Sequence, residues 1–170
     1  MPAILKAYPI AEFATPTVRA IKATTDALFR CGSRHAARAL SEQGIKTYLY
    51  SFEFENDRYK DPATPDCTAT AGFGCGVYHS AEIKYAFDNY AGDDPNGYTM
   101  ATIMSEMWTH FAKHGTPNVP GSQWITWPEY AKDTDLSIKL VQAPRLESGL
   151  AKVGCDFWDR LPEQDAYLPN

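Results

Sequence analysis

The chain has 170 residues, 16 basic against 21 acidic for a formal net charge of −5, with 44% hydrophobic and 22% charged residues. With 13% aromatic residues, 11 Gly and 12 Pro, it carries too much large apolar surface for a disordered segment and too little Gly/Pro bias for a fibre. No Lys/Arg run exceeds two residues and no stretch approaches the ~18 apolar residues that cross a bilayer, which argues against nucleic acid, polybasic membrane docking and a membrane span.

The chain opens on Met1-Pro2-Ala3-Ile4-Leu5-Lys6, without the basic-then-apolar layout of a signal peptide. Either the protein is cytosolic or its true amino terminus lies elsewhere. Thr15-Pro16 supplies an N-cap and a first-turn proline, and Val18, Ile21, Leu28 and Phe29 recur at roughly helical spacing until Gly32. Ser33 is expected to cap a second helix running to Gly44. The segment 45–54 is rich in β-branched and aromatic residues on both parities, the pattern of a strand covered on both faces.

From 55 to 76 the composition turns to Asn, Asp, Pro, Thr and Gly, a loop of about 20 residues, a length that is uncommon unless the loop is functional or stapled. A short turn or helix follows His79, then an acidic turn over 88–97. The best helix covers about 99–114, with Met100, Ile103, Met104, Met107, Trp108 and Phe111 as one apolar stripe ended by Gly115. A Trp/Pro connector over 124–130 leads to 136–140, whose alternation predicts an edge strand with one wet face. Leu150, Val153, Phe157, Trp158 and Leu161 mark a last helix. No repeat or composition break suggests a second domain. Two strands among several helices make an α/β inventory whose sheet looks incomplete, since strand 45–54 needs neighbours on both sides.

Cys31, Cys67, Cys75 and Cys155 form an even set with no C-x-x-C pair and no zinc-like His spacing. That favours disulfides and an oxidising compartment over four buried thiols, though both readings stand. The acidic turn 88–94 lacks EF-hand spacing, so a solvated loop is expected there rather than calcium.

Histidine is the side chain whose ordinary pKa suits proton transfer near neutrality. His35 falls among Arg34 and Arg38 on a helix and is expected to be solvated. His110 and His114 have the i, i+4 spacing of metal ligands, but no glutamate and no third ligand accompany them, so no metal is expected. His79 lies between the glycine-containing run 72–76 and an aromatic turn over 80–87, where it can project from a strand end. On spacing alone a satisfied structural role for His79 is the safer reading, with a catalytic one beside it. No G-x-S-x-G elbow and no H-G-G-G oxyanion sequence occurs, so no nucleophile is recognisable.

The segment Gly76-Val77-Tyr78-His79-Ser80-Ala81-Glu82-Ile83-Lys84-Tyr85-Ala86-Phe87 resembles the catalytic-histidine segment of the type-B carboxylesterases, the cholinesterase-like branch of the α/β-hydrolases. Flanking segments resemble family landmarks in the same order: Tyr8-Pro9, the run 25–31, the aromatic strand, Met107-Trp108, Gly115-Thr116-Pro117-Asn118, Trp127-Pro128-Glu129-Tyr130 and Cys155-Asp156-Phe157-Trp158. The likeness covers about 8–162. It implies that residues 1–170 form the carboxy-terminal portion of a single α/β-hydrolase domain, a partial sheet with packed helices. The amino-terminal part, with nucleophile elbow and acid, would be its missing partner.

The same resemblance implies that His79 is the general base of a serine esterase acting on a small carboxylic ester without a cofactor, and that Glu82 supports the site by hydrogen bonding. Asp61, Asp66 and Glu82 are the nearest acids, but the family's triad acid lies earlier in the chain. It also implies that Cys31 pairs with Cys155, leaving Cys67 for Cys75, and that the whole protein is secreted or periplasmic. The pattern departs at Ser80, where many members carry glycine. Alone, the chain is expected to be inactive. Two other expectations stand beside this one: a non-catalytic cholinesterase-like adhesion or binding domain, and a truncated product that folds poorly because its central strand has an unpaired edge.

Overall fold

The structure, a computed structural model, describes residues 3–55 and 77–161. Cys67, Cys75, Asp61 and Asp66 lie outside the described residues. The described elements are, in chain order, α1 (Ala3–Ala7), a 3₁₀ turn (Ile10–Glu12), α2 (Pro16–Thr25), a π-helical turn (Asp26–Arg30), α3 (Cys31–Glu42), β1 (Tyr50–Phe52), α4 (Ile83–Ala86), α5 (Pro95–His114), β2 (Leu136–Leu140), β3 (Arg145–Ser148) and α6 (Lys152–Trp158). The strands form one sheet in the order β1-β2-β3. The chain divides into two compact units, the first from Met1–Leu49, Pro128–Ser137 and Glu147–Asn170, the second from Tyr50–Trp127 and Ile138–Leu146.

In the first unit Thr15 caps α2 as its sequence predicts, the hydroxyl accepting from the Val18 N–H at 3.1 Å. The expected break at Gly32, with a new cap at Ser33, does not occur. The helix winds through the π turn and continues to Glu42. A glycine inside a helix costs only ~1 kcal/mol. On its two sides Cys31 is disulfide-bonded to Cys155 and the fully buried Arg34 is held by carboxylates, which outweighs that cost.

Arg34 donates to Asp135 and to Asp156, and Arg38 reaches Asp135 at 3.2 Å and Asp159 at 3.1 Å. Tyr130 completes the cluster by donating its hydroxyl to Asp135 at 2.7 Å. Burial works against the Asp135 charge, but the hydrogen bonds from Arg34 and Tyr130 hold its carboxyl below the usual range. Beside this network Ala37, Leu49, Tyr130 and Leu150 make a small apolar core. A second buried polar group is Asp26, which accepts from Lys22 at 2.6 Å and from the Tyr8 hydroxyl at 3.1 Å. Trp158 donates to the same hydroxyl at 2.8 Å. Gly154 leaves room for both oxygens, because a Cβ there would lie 2.4 Å from Tyr8 Oη and 2.6 Å from Asp26 Oδ2.

In the second unit the strand expected over 45–54 is confined to Tyr50–Phe52, paired in parallel with β2 so that Tyr50 faces Ile138 and Phe52 faces Leu140. The residues before it leave the ladder: in the first unit, the Thr47 carbonyl accepts from the Tyr130 N–H instead. β2 has the predicted bounds but is the middle strand of the sheet rather than an edge, and Ile138 and Leu140 are fully buried. The outer places belong to β1 and to β3, which the sequence reading missed because Arg-Leu-Glu-Ser is mostly exposed and has no apolar alternation. Charged residues on an edge discourage further pairing.

α5 begins four residues before the expected start, because Asp94 is its N-cap and accepts from the Asn96 N–H at 3.1 Å. Met100, Ile103, Met104 and Met107 are buried as the stripe predicts, whereas Phe111 is exposed. The predicted stop holds, with Gly115 left-handed at φ 70°. α4 packs on α5 through Tyr85, which stacks on Tyr90 at 5.3 Å, and Gly97 gives the Tyr90 ring its place. The connector is fixed by Asn118, whose side chain accepts from the Trp127 N–H and donates to the Trp127 carbonyl, both at 2.8 Å.

Candidate functional site

His79 lies in a turn that follows the aromatic strand in the chain and precedes α4. The Ala81 N–H closes the turn onto the Tyr78 carbonyl at 3.1 Å, and the Ile83 N–H bonds the Ser80 carbonyl at 3.2 Å. The imidazole is at position two of this turn and is exposed to solvent. Ser80, at position three, has φ 73°. On the carboxyl side Ala81 and Tyr85 are buried, the latter packed between Phe52, Phe54 and Tyr90 at ring distances of 5.3–5.5 Å. An exposed imidazole therefore stands on a fixed base.

Glu82 is half-buried immediately before α4, and its side chain does not cap that helix. Its charge is felt by Tyr50, whose phenol is pushed up first by burial and then by the Glu82 carboxylate. Tyr50 in turn packs edge-on against Trp108 at 5.1 Å and Trp127 at 6.0 Å. The segment thus brings His79 and Glu82 into one turn and helix start, with an aromatic group of Tyr50, Trp108 and Trp127 in the same unit. Tyr50 was not singled out by residue type, since an aromatic in a strand carries no mark of a nearby carboxylate. The cysteines expected to bracket the preceding loop, Cys67 and Cys75, are outside the described residues, whereas Cys31 and Cys155 are joined.

The other histidines are carried by helices. His35 is exposed on α3. His110 is half-buried on α5, with Nδ1 2.7 Å from the Thr116 carbonyl, and its ring lies 4.4 Å from that of the exposed His114. Among the described residues no three His, Cys, Asp or Glu side chains are placed to share a metal ion, and no helix is long and apolar enough to cross a membrane.

What the turn can do chemically is accept and return one proton at a solvent-facing imidazole; a nucleophile to go with it is not recognisable in the sequence. Comparison with known proteins agrees with the architecture. The chain is similar to the carboxylesterase EST55 of Geobacillus stearothermophilus. One solved structure, at pH 6.2, matches with a TM-score of 0.68 and 22% identity over 91% of this chain and 31% of that one. Another, at pH 6.8, matches with a TM-score of 0.55 and 25% identity over 73% and 24%. The chain thus spans about a third of the length of the solved carboxylesterase it matches, and the three strands among its described residues, with packed helices, are a partial α/β-hydrolase fold. A family model described as the carboxylesterase family matches residues 4–158, nearly the whole chain, and the chain belongs to that family.

Proposed function

We propose that this chain contributes the general base of a serine esterase that hydrolyses carboxylic esters. His79 receives the proton of a serine hydroxyl as that oxygen attacks the ester carbonyl, then returns it to the departing alcohol. The same imidazole next draws a proton from water as the hydroxide attacks the acyl-serine, and gives that proton to the departing serine oxygen as the acid is released. The serine, and the carboxylate that fixes the imidazole tautomer, come from sequence other than these 170 residues, which with this chain make up one α/β-hydrolase domain. Glu82 supports the turn from its half-buried place. No cofactor enters the reaction, and the disulfide suits a secreted or periplasmic protein.

The observation that carries this reading is an exposed imidazole on an anchored turn in a chain that matches the carboxylesterase family over residues 4–158. In the complete protein, His79→Ala is expected to lower kcat on p-nitrophenyl acetate by roughly 10³-fold or more. The 170-residue chain alone is expected to give no turnover and to take up no fluorophosphonate. Full activity in His79→Ala, or stoichiometric labelling of the isolated chain, would overturn the reading.

A further inference from the structure

We propose that Ser80 is a positioning residue for His79, acting through its left-handed backbone rather than through its hydroxyl. The inference rests on the reading of His79 as general base and adds how that side chain is aimed. The turn from Tyr78 to Ala81 is closed by an N–H to carbonyl bond between its ends, and its third residue has φ 73°. His79, its second residue, is not among the positive-φ residues. That combination is the pattern of a type II turn, whose third position favours glycine or asparagine. A serine carries a Cβ that meets the neighbouring carbonyl oxygen in this region, so the conformation persists only where the surroundings over-determine it.

The surroundings do so here. Ala81 and Tyr85 are buried immediately downstream, the Ser80 carbonyl is tied to the Ile83 N–H, and Lys84 lies over the rings of Tyr78 and Tyr85 at 6.0 and 5.4 Å. With the carboxyl flank fixed and the two ends of the turn tied together, the sign of φ at residue 80 decides which way the peptide between His79 and Ser80 points, and hence where the imidazole stands. A displacement of about 1 Å at a catalytic group can cost 10²-fold in rate.

The test is a substitution series in the complete protein. Ser80→Asn and Ser80→Gly permit the left-handed backbone and are expected to lower kcat on p-nitrophenyl acetate by no more than about threefold. Ser80→Val, β-branched and averse to positive φ, is expected to lower kcat about 10²-fold while KM stays within about threefold. If Ser80→Val does not fold by circular dichroism, Ser80→Ala serves instead, and a kcat below those of the Asn and Gly variants is the expected result. Equal losses in Gly and Val variants, or a Val variant as active as the wild type, would overturn the proposal. His79→Ala separates the two levels. An inactive His79→Ala with a flat Ser80 series removes only the role of Ser80, whereas an active His79→Ala removes the general base and this inference with it.

Discussion

The guanidinium of Arg34 grips the carboxylate of Asp135 across 101 residues of chain, with Nε 3.0 Å and Nη2 2.5 Å from the same oxygen. Arg34 is almost wholly buried, so the pair is a commitment rather than a surface ornament. Removing one partner of a buried pair costs about 3–5 kcal/mol where the other charge is left alone, and here the loss is smaller because Asp156 still accepts from Arg34. Asparagine tolerates the left-handed backbone of Asp135, φ 49°, so Asp135→Asn isolates the charge. It is expected to lower the urea midpoint, and Arg34→Met combined with Asp135→Asn is expected to cost less than the sum of the two singles, because both singles break the same contact.

Two pH limits follow from titratable groups of the first unit. Asp135 and Asp156 have carboxyls held below their ordinary values, Asp135 against burial by its hydrogen bonds from Arg34 and Tyr130, Asp156 mainly by Lys152. Their contribution is present above the unfolded-state pKa of about 4 and is lost as pH falls through the lower folded values, so melting temperature is expected to drop on acidification below pH ~4. At the alkaline end the Tyr8 phenol is pushed up to about 12, chiefly by burial and also by Asp26, against the hydrogen bond from Trp158. The unfolded chain ionises near pH ~10 while the folded one keeps its proton. Stability on the order of 2–3 kcal/mol is therefore lost between pH ~10 and about 12. Tyr8→Phe is expected to flatten that alkaline slope in a pH series of thermal melts, although the starting stability is lower.

Gly97 and Gly154 each sit where a methyl group has no space. A Cβ on Gly97 would lie 2.2 Å from Tyr90 Cζ, and Tyr90 is itself stacked on Tyr85. Helix propensity alone favours alanine at both positions by ~1 kcal/mol. Overpacking of about 1–3 kcal/mol is expected to prevail, so Gly97→Ala and Gly154→Ala both lower the midpoint of denaturant unfolding. An alanine variant more stable than the wild type would mean that the ring or the carboxylate moves aside.

Reduction of Cys31–Cys155 opens a link between residues 124 apart. The chain-entropy relation gives roughly 4–5 kcal/mol for a loop of that size. Dithiothreitol is expected to lower the melting temperature of the wild type by more than that of the Cys31→Ala, Cys155→Ala variant, which starts from a lower value.

How far the sequence could be read depended on whether a signal was local. The Thr15-Pro16 start and the Gly115 stop are written in residues that touch their own helix, and both are found in place. The bounds of 136–140 were likewise legible, but its station in the sheet was not, because a middle strand differs from an edge by neighbours far away in sequence. Gly32 misled for the same reason: the restraints that carry the helix through it, Cys155, Asp135 and Asp156, lie more than 100 residues downstream. In the candidate site His79 stood out by residue type and by its surrounding segment. The left-handed state of Ser80 did not, since serine carries no preference for it. The resemblance implied the Cys31–Cys155 pairing, whereas residue spacing alone left both thiols and disulfides open.

The π turn at Asp26–Arg30 acts as a phase shifter between α2 and α3. In regular α-helix each residue advances the azimuth by about 100°. Winding the same residues as ordinary α-helix would swing the whole of α3 by roughly that angle, carrying Cys31 away from Cys155 and Arg34 away from Asp135 together. One wide turn thereby sets the bearing of both a covalent and an ionic tie, and the same residues wound more tightly there could satisfy neither.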